Sequence, residues 1–286
     1  MVPINLFDNT FRQAACSVAG KIPLNLWYVR DRMEFEGITI FTDGYISDPI
    51  VDQVQCPYKV AWLHEPECLH PEVYANARPV LDKFDLALTY YDPFISSGLA
   101  QFAPYGGVWI DYGKWGLKDK TRDISMLYGA KMATEGHQLR HLISNTLSIM
   151  GMDGLVDFFG YKGEQVDYGM QTKWRVLGDY RFSIITEACR QDNLFTEILL
   201  DCFAVGTIPI FWGCPNVGLY FDERGILSFT TVNELLLMLK DCTTKLYESL
   251  QPYAAENYQL VKEYEVTEDW IYERYFRPLS ARYSWI

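Results

Sequence analysis

Little in this chain of 286 residues points to a membrane, a metal or a nucleic acid. Its longest apolar runs, such as 235–239, fall far short of the roughly 20 residues that span a bilayer. Met1-Val2-Pro3-Ile4-Asn5 has no basic region leading into an apolar one, so neither a signal peptide nor a membrane anchor is expected. Basic residues are scarce: 25 Lys and Arg stand against 37 acids, for a net charge of −12, whereas a protein that reads duplex nucleic acid needs a basic face to neutralise phosphates. The one dense basic cluster, Lys118, Lys120 and Arg122, reads as a linker between domains. Seven cysteines form no CxxC pair, and those in apolar segments, such as Cys202 and Cys214, read as reduced core thiols in a reducing cytoplasm. Of four histidines, His64 and His70 flank Glu65 and Glu67. Pro66 and Pro71 break helical ligand spacing there, and no Asp-x-Asp motif occurs in a site-forming segment, so no metal site is expected.

What the chain does have is core. With 49% hydrophobic and 15% aromatic residues it can fill two domains of ordinary size. Strand-like runs at 24–29, 38–42, 59–63 and 86–90 alternate with helical or looped stretches, which is the pattern of a parallel sheet. Residues 113–123 are charged and contain glycines at 113 and 116, and a fresh strand follows at 124–128. The reading therefore places a first, Rossmann-like domain at 1–118 and a second at 119–286. Further strands are expected at 155–159, 182–185 and 208–212, with helices over 136–150, 195–205, 231–243 and 246–264. The aromatic tail, 270–276, has helical spacing.

The most informative block runs from 180 to 216. Phe182 to Ile185 is a short apolar strand leading to Glu187, helical spacing covers 196–205, and Ile208-Pro209-Ile210-Phe211-Trp212 is a second buried strand ahead of Gly213-Cys214-Pro215-Asn216. In an open α/β sheet ligands lie beyond the carboxyl ends of strands and against helix N-termini, where Glu187 and Glu197 fall. Two acids repel phosphate, so they suit the hydroxyls of a ribose or sugar. The block resembles the donor-binding region of glycosyltransferase family 10, the α-1,3-fucosyltransferases, and more weakly that of exostosin-type transferases. Two further stretches extend the likeness over about two thirds of the chain: Ile124 to Leu127 followed by Lys131, His137 and Arg140, and Val60-Ala61-Trp62-Leu63-His64-Glu65.

The resemblance implies an α/β fold of GT-B type, two Rossmann-like domains with a cleft between them. The first would hold the acceptor and the second the nucleotide-sugar donor, with the final helix, about 266–286, returning to the first. It implies an inverting transfer of a deoxyhexose or pentose, such as fucose, xylose or arabinose, from a nucleotide-diphosphate donor to an acceptor hydroxyl. No cofactor beyond that substrate is called for, and GDP and UDP are not distinguished. Such a transfer needs charge stabilisation on the diphosphate and a base for the acceptor. Arg140, near the start of a helix, suits a bidentate clamp on the diphosphate, with Lys131 and His137 as helpers and Glu187 and Glu197 as donor contacts. Where the family carries a phosphate-binding Lys this chain has Ile198, and where it has Asn-Ser after the loop Glu this chain has Ala188-Cys189. One cation is thereby lost, and Arg190 is the substitute the sequence offers. Glu65, at a strand end beside Trp62 and His64, is the candidate base, its pKa raised by partial desolvation. Glu67 and Asp92 are candidate acceptor contacts, and Asn9, Thr10 and Arg12 are open either to that role or to a plain N-terminal strand and helix.

The eukaryotic relatives carry a membrane anchor, so a soluble bacterial or viral enzyme, in a bacterial cell or a virus-infected host cell, is the better expectation. A glycan is the expected acceptor. Two other readings stay open: a phage-type enzyme that glycosylates hydroxymethylated bases in DNA, and a catalytically inactive sugar-binding protein.

Overall fold

The computed structural model describes residues 1–12, 14–166 and 170–281. They form two compact units. One comprises Met1–Gly107, Asp192–Leu194 and the chain from Val266 onward; the other comprises Val108–Gln191 and Phe195–Glu265.

The first unit is built on a parallel sheet of β1 (Val2–Phe7), β2 (Leu26–Arg30), β3 (Ile38–Thr42), β4 (Tyr58–Leu63), β5 (Leu86–Thr89) and β6 (Gln101–Phe102), in the order β2-β1-β3-β4-β5-β6. β3 is buried along its whole length, threonines included, as expected of a strand covered on both faces. β1 lies inside the sheet with Asn5 fully buried; its amide donates to Arg32 O and Thr39 Oγ1 and accepts from Arg32 N, so no polar group is orphaned. The chain runs from β1 outward to β2 and then returns past β1 to β3, so the sheet reverses direction between β1 and β3. Short helices α1 (Ile50–Gln53), α2 (Pro71–Ala77) and α3 (Asp92–Ser96) connect the strands, and α2 and α3 each carry Pro in the first turn, where a missing N–H costs nothing.

The second unit has β7 (Arg122–Tyr128), β8 (Asp157–Gly160), β9 (Tyr180–Thr186), β10 (Ile208–Trp212) and β11 (Leu227–Ser228) in the order β11-β10-β9-β7-β8, again all parallel. Its reversal lies between β7 and β9. The helices are α4 (Glu135–Ile149), α5 (Met170–Leu177), α6 (Glu197–Ala204), α7 (Val232–Asp241) and α8 (Thr244–Leu260). Ile143 and Leu147 of α4 and Leu235 and Leu239 of α7 pack with Phe182, Ile184, Ile208 and Ile210 in one core. A full capping box, Thr231 with Glu234, starts α7.

Residues 108–118, assigned to the first domain on sequence, belong to the second unit. Asp201 accepts the N–H groups of Trp109 and Ile110 at 2.8 and 3.1 Å, and Gly116 N donates to Ala204 O. The basic cluster is not a surface linker either: Lys120 is buried, and its ammonium donates to Gly178 O, Val205 O and Thr207 Oγ1. Burial pushes its pKa down to about 8. At the other end of the chain, α9 (Thr267–Ile271) runs into a π-helical turn, Tyr272–Phe276, within the first unit. There Asp269 accepts the N–H groups of Leu24 and Asn25, and Tyr275 Oη donates to Phe102 O at 2.7 Å.

Cys16, Cys56, Cys202, Cys214 and Cys242 are free thiols, while Cys68 and Cys189 are disulfide-bonded, which corrects at those two positions the expectation of reduced cysteines. Among the described residues no helix is long and apolar enough to cross a membrane.

Candidate functional site

The reversal point of the second sheet is where a ligand is expected, and it carries Arg140. Thr134 caps α4, its hydroxyl accepting from His137 N, and the helix start is butted against the end of β9. Gly136 N donates to Ala188 O, and Thr186 Oγ1 donates to Gly136 O. A Cβ on Gly136 would lie 1.7 Å from Glu187 O, so only glycine permits this approach. One turn further along, Arg140 Nε donates to Thr186 Oγ1 at 2.8 Å and Nη2 donates to Thr186 O. Burial pushes the guanidinium pKa down, with Glu187 and Glu197 opposing at longer range. Among the described residues no carboxylate lies within ion-pair distance of it. Arg140 is thus a half-buried, fixed cation near a helix start and a strand end, with no acid paired to it among the described residues.

His137 is buried beside it, and its Nδ1 has no hydrogen-bond partner among the described residues. Burial, reinforced by Arg140, Lys131 and His141, pushes its pKa down to about 4, so the ring is neutral at pH 7. Lys131 is exposed, and its carbonyl is engaged by His141 Nε2. Arg190 is also exposed, and its charge acts on Glu234 at the start of α7.

Glu187 and Glu197 are held by the protein itself. Glu187 is buried and Oε1 accepts from Thr196 N at 2.9 Å, pinning the loop after β9 to the cap of α6. Gly213 leaves it room: a Cβ there would sit 2.6 Å from Glu187 Cγ. Burial raises the Glu187 pKa to about 8 from an ordinary 4.5, against the Thr196 N–H that lowers it. An acid whose pKa is raised on folding gives stability that is complete below about pH 4.5 and is lost as pH rises toward about 8. Glu187→Gln should therefore flatten the decline of the urea midpoint across that window. Parallel profiles for parent and variant would show that Glu187 does not titrate there.

Glu197 opens α6, and its Oε1 lies 2.9 Å from Lys173 Nζ; the same ammonium lies 3.1 Å from Asp201 Oδ2 and 4.5 Å over the Trp109 ring. Burial alone would raise the Glu197 pKa, but the Lys173 ammonium outweighs it and holds the carboxylate below its ordinary range. Lys173, Asp201 and Thr186 were not singled out on sequence. One signal was present: Glu197 and Asp201, four apart, put two acids on one helical face, and acids buried there require a cation.

At the strand ends of the first unit, Glu65 follows β4, half-buried. Its N–H donates to Asp43 Oδ1 at 3.0 Å, its carbonyl accepts from Tyr74 Oη at 2.8 Å, and Glu67 N donates to Tyr90 Oη at 2.7 Å. His64 is buried among aromatic rings, stacked on Tyr105 with centroids 5.0 Å apart. Burial pushes its pKa down to about 4, so it stands beside Glu65 as a neutral ring. Asp92, in the first turn of α3, has Oδ1 3.5 Å from Asn193 Nδ2, within the same unit. Thr10 Oγ1 reaches Asp43 Oδ2 at 3.5 Å, whereas Arg12 pairs with Asp31 on the surface. Among the described residues no group of three His, Cys, Asp or Glu is placed to hold a metal ion. An open groove of about 550 Å³ on the second unit, near Leu219, Arg224 and Tyr253, is lined by none of these candidates.

No protein-family model matches the chain. Over 67 residues it is 31% identical to the Helicobacter pylori protein "Alpha-(1,3)-fucosyltransferase FucT", a match that spans 23% of this chain and only 13% of that relative. Similarity to solved structures covers much more. An α1,3-fucosyltransferase with GDP-fucose matches with a TM-score of 0.52 at 17% identity, over 79% of this chain and 72% of that one. An α-glucosyltransferase in complex with UDP and a 13-mer DNA matches with a TM-score of 0.57 at 11% identity, over 98% and 99%. The likeness to α-1,3-fucosyltransferases read from residues 180–216 thus recurs in both comparisons. At such identities the structural matches establish the fold, which is the α/β, two-sheet fold of GT-B glycosyltransferases.

Proposed function

We propose that the chain is a nucleotide-sugar glycosyltransferase of the α-1,3-fucosyltransferase type. The observation that carries this reading is Arg140: a guanidinium fixed by Thr186 at the reversal point of the second sheet, with no acid paired to it among the described residues. Nucleoside diphosphate is the ligand class such a site suits, since Arg offers a fork to two phosphate oxygens and the start of α4 adds its positive end. Lys131, at the loop leading into α4, and neutral His137 are assigned to the edges of the same donor site. Glu187 and Glu197 then act as the frame of that site rather than as free ligands, and Arg190 serves at its rim.

In the proposed reaction Glu65 takes the proton of an acceptor hydroxyl. The acceptor oxygen attacks the anomeric carbon, the bond from that carbon to the diphosphate oxygen breaks, and the configuration inverts. The departing diphosphate carries its charge toward Arg140. No covalent intermediate and no metal ion are required. Asp92 and Glu67 are assigned to the acceptor, which we take to be a glycan. The DNA-bound structural neighbour favours a second reading, transfer to a base in DNA, against which the net charge of −12 weighs.

Incubation with GDP-fucose, UDP-glucose, UDP-xylose and UDP-arabinose should release nucleotide from one donor well above the rest, and the release should be stimulated by a glycan. Stimulation by hydroxymethylated DNA instead would favour the second reading. No release from any donor, with no nucleotide binding, would refute the proposal.

A further inference from the structure

The first sheet reverses direction between β1 and β3, and the residues just past those strands are Asp8 and Asp43. Asp43 has φ of +45°, in the left-handed region that asparagine, aspartate and glycine tolerate best and that strains most other residues. That backbone turn goes with a side chain laid across the end of β4. Oδ1 accepts the N–H of His64 at 2.8 Å and of Glu65 at 3.0 Å, and Oδ2 lies 3.5 Å from Thr10 Oγ1. Tyr74 Oη holds the Glu65 carbonyl from the other side. The Glu65 backbone is thus held at both its N–H and its carbonyl.

We propose that Asp43 is a positioning residue that acts on the reaction through Glu65, anchoring its backbone at the strand end and setting a second negative charge beside its carboxylate. The inference rests on the assignment of Glu65 as the base. Plain structural need does not explain an acid here. A glycine would relax the backbone, and an asparagine would accept both N–H groups without placing a charge in a buried position. Glu65 and Asp8 both disfavour the ionisation of Asp43, His64 is neutral, Arg30 lies 3.6 Å from Asp8, and Tyr74 keeps its proton. Burial, with these acids adding and the two N–H groups opposing, raises the Asp43 pKa to about 7. The Glu65 charge is thus one of the influences that raise the Asp43 pKa. The negative form of Asp43 makes Glu65 a better proton acceptor, which is what a base needs.

The test compares Asp43→Asn, Asp43→Gly and Glu65→Gln in the full chain, following nucleotide release from the best donor of the panel as a function of pH. Asp43→Asn should keep the donor KM within about twofold while moving the acidic limb of the kcat profile to lower pH by at least about half a unit. Asp43→Gly, which loses both anchors, should lower kcat about tenfold or more at unchanged donor KM. A limb that stays in place in Asp43→Asn, or a parental kcat in Asp43→Gly, overturns the inference while leaving Glu65 as base if Glu65→Gln is impaired. Parental turnover in Glu65→Gln overturns both. Should the Asp43 variants fail to fold, the amide resonances of His64 and Glu65 report the titration of Asp43 directly. Their midpoint should fall to lower pH in Glu65→Gln than in the parent, and an unmoved midpoint overturns the coupling.

Discussion

Replacing Glu65 by Gln should lower turnover by about a hundredfold to ten-thousandfold, the range for a positioned acid or base, while leaving fold and donor affinity intact. The backbone contacts of Glu65, to Asp43 and Tyr74, do not involve its carboxyl, so the amide preserves them while removing the proton acceptor. The acidic limb of the parental pH profile should disappear with it. Retention of more than about a third of parental turnover, far above that range, would remove Glu65 from the mechanism and move attention to Glu67, in the same loop after β4, or Asp92, after the neighbouring strand β5.

Arg140→Ala should weaken binding of GDP or UDP by about 2 kcal/mol or more, roughly thirtyfold in Kd, the scale of a charge-assisted pair. The substitution also leaves the Thr186 hydroxyl and carbonyl without their present donor, so a thermal melt must accompany the calorimetric titration. Arg140→Lys restores the charge but not the planar fork and should recover only part of the affinity. If both nucleotides bind the Ala variant as they bind the parent, the donor site lies elsewhere.

The sequence made the sheets legible where strands are buried on both faces. Ile38–Thr42 and Ile208–Trp212 have the expected bounds, because a short run rich in apolar and β-branched residues between turn residues has few other uses. β1 was harder to see, since Pro3 and Asn5 interrupt Val2–Phe7 and the hydrogen bonds that make Asn5 tolerable come from residues far along the chain. α5 went unread for the same kind of reason. Its middle residues are Lys173, Trp174 and Arg175, and Lys173 is buried only because it pairs with Glu197 and Asp201. For the candidate site, a position at a strand end or a helix start could be read by counting, as with Glu65 after β4 and Arg140 near the start of α4. What a carboxylate is doing could not: Glu187 and Glu197 look alike in the sequence, yet one holds a loop amide and the other a lysine.

The first unit is not one stretch of chain. Its β2 end is fastened by Asp269, some 245 positions away in sequence, and the residues after Val266 belong to it although the whole second unit is made in between. During synthesis, therefore, the ribosome completes the second unit before releasing the last piece of the first. Until then the N–H groups of Leu24 and Asn25 and the ring of Phe102 wait for Asp269 and Trp270. Order of manufacture and order of completion are inverted in this chain, and a fragment cut at Gly107 is an unfinished unit rather than a domain.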